Sequence, residues 1–513
     1  MFDADAPRPA VQVIRRSQRV VGVVSGAVFD GVHEIQGYVA AEQRQGLYIE
    51  HSLTLPSPIP QNTFCRVVSP PKPVTPVHPA QIGGTHMTDS ASQDSTASGR
   101  WRRDFRFVWA GESASLHGSQ VLQLALPLTA VVTLHADAKQ LGLLGAASYA
   151  PYLLFAVPAG LLVDRWQRRG VLIASNAVQA AAIGTVPVLA ATHRLTFAWL
   201  LVMAGVAGVG KVFFNIAHRS YLPAIVPTEH LTGANSRLTA SESVAEIGGP
   251  GLAGLLVQVI GAPFALLIDA VSYLASAVGV AAVRTREKTA SVDRGTPLRT
   301  QMGQGFRLIF RNPYLRAFLG EAASYNLCWQ VVQTVLVIFA VRVLGMSPGT
   351  LGLMMSIGAI GALLGATVTG RAAARFGLGK TLVTAAVLGD LAPLLLPAIQ
   401  RGMWAAPILA AAFLVQGFGI TACNIHGMSV RQTVTPDHLL GRTNAAYSFV
   451  AQGVQMAGAL LGGWLGAATG TRGALLIGTL GLLSTSLFLI LSPLRHVRTL
   501  KDVATPDTEL YQA

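Results

Sequence analysis

Between residues 107 and 492 the sequence is a succession of apolar runs separated by short polar breaks. Each run is roughly 20 residues long, the length that carries a helix across about 30 Å of hydrocarbon. Twelve can be placed, at 107–132, 142–163, 171–191, 196–217, 236–260, 262–283, 317–341, 350–370, 381–399, 404–427, 445–467 and 473–492. Lipid offers the backbone no hydrogen-bond partner, so continuous apolar runs of this length are predicted to be helices. Residues 1–100 follow another pattern. They hold prolines at 56, 58, 60, 70, 71, 73, 76 and 79, no run of spanning length, and a Ser/Thr/Asp stretch at 88–98. This composition predicts a disordered extension. The polar lead into Arg100–Arg106 resembles an ordinary cytoplasmic N-terminus, which makes Met87 an alternative start.

Charge placement orients the runs. With the first loop outside, the external loops carry Lys139, Arg194, Arg342, Arg401 and Arg472, one each. The other side carries Arg100–Arg106, Arg165, Arg168, Arg169, Arg219 and Arg237, eight basic residues in 284–316, and then Arg371, Arg375, Lys380, Arg431, Arg442, Arg495, Arg498 and Lys501. Short cytoplasmic loops hold most of the Lys and Arg of a membrane protein. The chain is therefore expected in the cell membrane, multi-pass, with both termini cytoplasmic. Composition agrees: 51% of residues are hydrophobic and 12% charged, whereas soluble domains run near a quarter charged. The net charge of +14 does not signal nucleic acid, because the basic residues sit in short pieces between apolar runs and form no stripe. Three cysteines are too few and too scattered for a disulfide framework. The histidines make no metal spacing, and no nucleophile–base pair or nucleotide loop is present. Neither a metal, a cofactor nor an enzymatic activity is expected, and no obligatory protein partner is evident.

The longest and most basic internal break, 284–316, divides the spans six and six. The halves repeat at a shift of 209: Gly111-Glu112-Ser113-Ala114-Ser115 recurs as Gly320-Glu321-Ala322-Ala323-Ser324, Asn215-Ile216 as Asn424-Ile425, Pro227 as Pro436, Asn235 as Asn444 and Gly254 as Gly463. The predicted organisation is a disordered extension (1–100), a six-helix bundle (101–283), a basic cytoplasmic linker (284–316), a second six-helix bundle (317–495) and a cytoplasmic tail (496–513). The fold class is an all-α membrane protein of twelve transmembrane helices in two pseudo-symmetric bundles.

Several stretches carry a family resemblance. The loop Gly160-Leu161-Leu162-Val163-Asp164-Arg165-Trp166-Gln167-Arg168-Arg169 resembles the loop between spans 2 and 3 of the major facilitator superfamily, with Gln167 where a second glycine is usual. Gly249-Pro250 with Gly254 in span 5 is similar to the antiporter motif of its drug-exporting members. The stretches 225–237, 266–274 and 306–318 resemble the bacterial branch of macrolide-efflux and enterobactin-exporter-type proteins. The resemblance covers about 101–495. It implies a secondary transporter whose spans 1, 4, 7 and 10 line a central cavity exposed alternately by rocking of the two halves. It also implies export of a hydrophobic or amphipathic small molecule (a drug, antibiotic or siderophore) against inward proton flow. An uptake porter or facilitator of a small metabolite, and a non-transporting membrane sensor or scaffold, are the competing readings.

Within that frame, span 7 carries Asn326, Gln330 and Gln333 on one stripe, and span 1 carries Ser119 and Gln123 with Glu112 and Ser115. With the matched Asn215 and Asn424 on spans 4 and 10, these are the candidate cavity residues. The alternative for each is a hydrogen bond to a neighbouring helix. Intramembrane carboxylates are functional candidates by default, so Glu112, Asp269 and Glu321 are the candidate proton carriers. Glu112 and Glu321 lie close enough to arginines to suit a structural or gating role at the cytoplasmic end, and the run around Asp269 suits a structural partner. Lys211 is placed to snorkel to the interface or to form a structural pair, with Glu112 or an anionic substrate as the partner it could meet instead. Asp390 has no role readable from the sequence. Asp164 with Arg165, Arg168 and Arg169, after Gly160, forms the candidate gate, since topology alone requires no aspartate. Gly249, Pro250 and Gly254 complete the conformational candidates as a kink and close-packing site. Asp164→Asn is expected to insert normally in the membrane and to lose transport. Wild-type transport by that variant rejects the gate.

Overall fold

The computed structural model describes residues 88–285 and 298–503, leaving the side chains of 88–99, Val157, Leu161, Asp164 and 298–302 outside that description. Residues 1–87, the middle of the basic linker and the last ten residues lie outside it, and with them the expectations of an extension without order and of a start at Met87. All described regular structure is helical. In chain order the helices are α1 (Thr88–Leu128), α2 (Ala138–Arg165), α3 (Arg168–Ala191), α4 (Phe197–Ile225), α5 (Leu231–Ile260), α6 (Ala262–Ala281), α7 (Leu298–Arg311), α8 (Pro313–Ile338), α9 (Pro348–Phe376), α10 (Leu378–Leu391), α11 (Ala405–Val434) and α12 (Asp437–Ile490).

Among the described residues nine helices are long and apolar enough to cross a membrane. One of them, α12, is two spans in series kinked at Gly470, and α1 and α2 pack as the first two members, completing the twelve. Two departures from the sequence reading stand out. From Thr88, the first described residue, the chain is already helical, inside the segment expected to be disordered. The linker contains a helix, α7, that no apolar run announces. Its Leu308 and Ile309 are buried in a cluster with Leu315, Leu319 and Ala446, while Arg307, Phe310 and Arg311 remain exposed.

The repeat is written in the backbone. Gly261 (φ 88°) turns the chain from α5 to α6, and Gly470 (φ 74°), 209 residues on, makes the kink in α12. Both sit in the left-handed region that favours glycine. The first helix of each half ends in a π turn, Thr129–Thr133 after α1 and Phe339–Val343 after α8. Each is followed by a capping residue, Asp137 and Ser347, whose side chain accepts a backbone N–H of the next helix. Even the helix-to-helix stitches correspond. Asn176 of α3 donates to Ser276 Oγ of α6 at 2.9 Å, and Thr485 of α12, at the position equivalent to Ser276, donates to Asp390 of α10 at 3.0 Å. Asp390 is thereby explained: its carboxylate ties the third and sixth helices of the second half.

The halves touch chiefly through α2 with α12 and α5 with α9. Each contact is made by glycine. A Cβ on Gly254 would lie 2.4 Å from the Pro348 carbonyl oxygen, one on Gly352 2.2 Å from that of Pro250, and those on Gly142 and Gly463 2.8 Å from each other's Cα. In lipid, helix association draws on such close packing, because the tails are as apolar as the side chains. These contacts all lie toward the end of the bundle remote from the arginine-rich loops. At the basic end, Cβ atoms on Gly160, Gly233, Gly370 and Gly441 would meet nothing within 4 Å. The halves therefore converge at one end and part at the other. A short tail closes the basic end of the second half: Leu378 and Gly379 donate their N–H groups to the Arg498 and Val497 carbonyls. N–H bonds from Arg498 and Thr499 hold the Asp502 carboxyl below the usual range.

Gly254→Val is expected to destabilise the detergent-solubilised protein by about 1–3 kcal/mol through overpacking. Gly248→Ala, where a Cβ has open space, is expected to be neutral or to gain up to about 1 kcal/mol from helix propensity. Thermal unfolding of the two variants side by side checks this.

Candidate functional site

The converging end encloses a cavity of about 450 Å³ between the halves. Helix periodicity decides what faces it. From α1 come Ser119 and Gln123; from α4, Lys211 and Asn215, one turn apart; from α8, Gln330 and Gln333 with Trp329. Two contributions come from helices the sequence reading did not place at a cavity: Tyr149 and Tyr152 of α2, and Gln452 and Gln455 of α12, the latter joined by a 2.7 Å hydrogen bond. Their sequence signal is a pair of aromatic or amide side chains at i, i+3 in an otherwise apolar run. Gln179 of α3, Tyr273 of α6 and Met355 of α9 add to the polar and soft lining, with Gln120, Ser148 and Thr334.

Two of the candidate cavity residues lie elsewhere. Asn326 donates to the Ala322 carbonyl of its own helix at 2.7 Å, satisfying its amide in the turn beneath it. Asn424 is exposed on α11 away from the cavity. Of the places open to it, Lys211 takes the cavity lining. Among the described residues it is the only charged side chain in the lining, which otherwise holds amides, hydroxyls, aromatic rings and aliphatic groups. Such a surface binds a ligand by shape and adaptable hydrogen bonds.

The carboxylates fall into two groups. Glu112 is partly buried at the basic end, its Oε2 3.9 Å from His218 Nε2 of α4, beside the bonds that Trp109 and Ser113 make to Ser241 of α5. Glu321 interacts with Arg431 of α11, whose guanidinium lies 3.9 Å from the centre of the Tyr447 ring. Each thus faces a basic residue of the fourth helix of its half, and neither lines the cavity. Asp269 is fully buried on α6.

The gate and motif residues sit as follows. Gly160 has open space around it, Arg165 is exposed, Arg168 is half-buried, and Arg169 donates to the Ala281 carbonyl at the end of α6 at 2.6 Å. The Asp164 side chain lies outside the description. Gly249 lets α5 approach α1, since a Cβ there would stand 2.4 Å from Gln120 Cβ. Pro250 leaves its carbonyl against Gly352 of the other half, and the next residue, Gly251, donates its N–H to Ser356 at 2.8 Å. Among the described residues no group of His, Cys, Asp and Glu could hold a metal ion.

Comparison with known proteins fixes the family. Residues 97–509 match the family described as transmembrane secretion effectors. The chain belongs to that family, within the major facilitator superfamily. This secretion-effector chain is 24% identical over 387 residues to the multidrug efflux pump Tap of Mycolicibacterium fortuitum, covering 73% of the chain and 92% of the pump. It is 24% identical over 271 residues to macrolide efflux protein A of Streptococcus pyogenes, covering 53% of the chain and 67% of that protein. In fold it is similar to a bacterial homologue of the iron transporter ferroportin in an inward-facing state, with TM-score 0.62, 16% identity, and 76% of this chain and 98% of that one covered. It is likewise similar to the nucleoside transporter NupG, with TM-score 0.62, 12% identity, and 76% and 98% covered. The protein is a multi-pass membrane transporter of small molecules.

Replacing both lining amides, Gln330→Leu with Gln333→Leu, is expected to weaken binding of the dye rhodamine 6G by roughly 2- to 10-fold, the worth of one ordinary hydrogen bond. Asn326→Ala is expected to leave it unchanged. Equilibrium dialysis with purified protein makes the comparison.

Proposed function

We propose that this transporter exports a hydrophobic or amphipathic small molecule from the cytoplasm, driven by protons moving inward, with the two halves rocking about a shared cavity. The observation that carries the reading is the cavity itself: a single charge among amides, hydroxyls and aromatic rings, set between halves that converge at one end and part at the basic end. An arginine-rich face is the cytoplasmic face by the positive-inside rule, so this geometry is the inward-open, loading state of an exporter. Relatives named as a macrolide efflux protein and a multidrug efflux pump support the direction and the kind of cargo.

Rocking needs halves that are internally rigid and mutually separable. Within each half, polar stitches such as Asn176–Ser276, Asp390–Thr485 and Gln416–Tyr325 resist shear. Across the halves, hydrogen bonds among the described residues join Gly251 to Ser356, Gln258 to Ser347 and Gly349, and Arg342 to the Val131 carbonyl, all toward the converging end. Opening that end breaks few bonds and lets the basic end close around Gly160 and the arginines that follow it.

In everted membrane vesicles energised to acidify their interior, a radiolabelled macrolide and rhodamine 6G are expected to accumulate inside, and to leak out when the proton gradient is collapsed. Accumulation instead in right-side-out vesicles, driven by the same inward gradient, replaces export with uptake. Gradient-independent equilibration replaces it with facilitated diffusion.

A further inference from the structure

Asp269 is 0% exposed, deep in the first half. The backbone of α1 passes directly over it at Gly118, where a Cβ would fall 2.7 Å from Asp269 Oδ1 and 2.0 Å from Ser272 Oγ. Oδ1 receives the Ser272 hydroxyl at 3.4 Å, a long bond, and Oδ2 has no hydrogen-bond partner among the described residues. An ionised carboxylate sealed this way is expensive, and a protonated one is not. Yet the carboxyl is not cut off from the cavity. Tyr273, next but three on α6, turns its hydroxyl toward the carboxyl, and Ser119 of α1 turns its own toward Tyr273. Both hydroxyl residues line the cavity.

The charges around this chain of groups are few. Lys211, reaching in from α4, is the cation that interacts with Asp269. Glu112 of α1 acts on Tyr273 from the basic end. The side chains that α3 buries near it, Asn176 and Gln179, are uncharged. On α5, Glu242 acts on Glu112 and Glu246 rather than on Asp269.

We propose that Asp269 carries the transported proton, that Tyr273 and Ser119 connect it to the cavity, and that its charge state sets which substrate charge the cavity accepts. The proposal rests on the proton-driven export reading above and names its coupling site. When Asp269 is ionised it offsets Lys211, and the site is neutral. When Asp269 is protonated, Lys211 is left as an uncompensated cation at the cavity wall. In the low-dielectric interior that difference is felt by any charged ligand nearby. A substrate bearing a protonated amine binds the ionised form, and its binding expels the proton, because coupling between two sites is reciprocal. Proton and amine cation thus exclude each other, which is the requirement for antiport. An anionic substrate would bind together with the proton and give symport. In discharge the carboxyl proton passes to the Tyr273 oxygen as Tyr273 passes its own to Ser119 and Ser119 passes one to cavity water. Each hydroxyl ends with one proton, and Asp269 is left ionised. Tyr273 and Ser119 are positioning and relay residues; the carboxyl is the carrier.

Two measurements on the full-length purified protein test this. Binding of tetraphenylphosphonium, a permanent cation, is followed by equilibrium dialysis across roughly pH 5 to 8.5. Affinity is expected to rise with pH by up to about tenfold per unit over the titrating range, and Asp269→Asn is expected to abolish the slope. A flat wild-type profile, or an unchanged slope in Asp269→Asn, overturns the proposal. The second readout needs no ligand: infrared difference spectra on raising the pH. The wild type is expected to lose a protonated-carboxyl C=O band that Glu112→Gln retains, Asp269→Asn lacks and Tyr273→Phe loses more slowly. A band that persists in Asp269→Asn and disappears in Glu112→Gln overturns it even if no cation binds. Failure of proton-driven accumulation in vesicles, with this band assigned to Asp269, would reject export while leaving the proton site in place.

Discussion

The architecture depends on backbone meeting backbone where α2 crosses α12 and α5 crosses α9. A bilayer supplies no hydrophobic force to press one helix on another, so the halves are held by contact that only glycine permits. Gly142 against Gly463, and Gly254 against Gly352, place main chains where any side chain would collide. Because those contacts are confined to one end, the space between the halves has to widen toward the other. The cavity is therefore a consequence of where the glycines lie along four helices, and its lining follows from the faces those helices turn inward.

The two halves share a backbone plan and differ in how they use it. Turn glycines at 261 and 470, π turns after α1 and α8, and hydroxyls at 276 and 485 occupy matching places. The glutamates at 112 and 321 match, and the aspartates do not. The second half spends its intramembrane aspartate, Asp390, on a bond to Thr485 within its own third and sixth helices. In the first half that same joint is made by the neutral pair Asn176 and Ser276, and the aspartate sits instead beside the cavity wall. The two halves thus share their geometry and place their aspartates differently, and the charged groups nearest the cavity, Lys211 and Asp269, belong to the first half.

Most of the scaffold was legible in the sequence because the forces that set it act on short stretches. Apolar runs, arginine placement and a 209-residue repeat gave the spans, their number and their pairing. The stripe of Gln330 and Gln333 was legible for the same reason, through helical periodicity. What escaped depended on packing between distant segments. Asn326 lies on the same stripe but finds its partner one turn back in its own helix. For Lys211, distance along its helix leaves both the interface and the cavity open, and only the packing of the helices settles that it lines the cavity. Helix α7 was missed because a search for apolar runs rejects an amphipathic helix whose burial is one-sided. The tyrosines of α2 and glutamines of α12 were missed because the resemblance assigned the lining to four other helices.

The distribution of polar bonds says which parts can move. Gln416 with Tyr325 joins the first and fourth helices of its half. Asn176 with Ser276, and Asp390 with Thr485, each join the third and sixth helices of a half. Breaking a buried polar pair in such surroundings costs the desolvation of both members, so each half resists internal shear. Between halves, the hydrogen bonds are few and their donors or acceptors are backbone groups and short side chains near the converging end. These can exchange for water once that end opens. Strong seams inside each half and one weak seam between them are what the proposed rocking of whole halves requires, with the glycine contacts as the surfaces that would part.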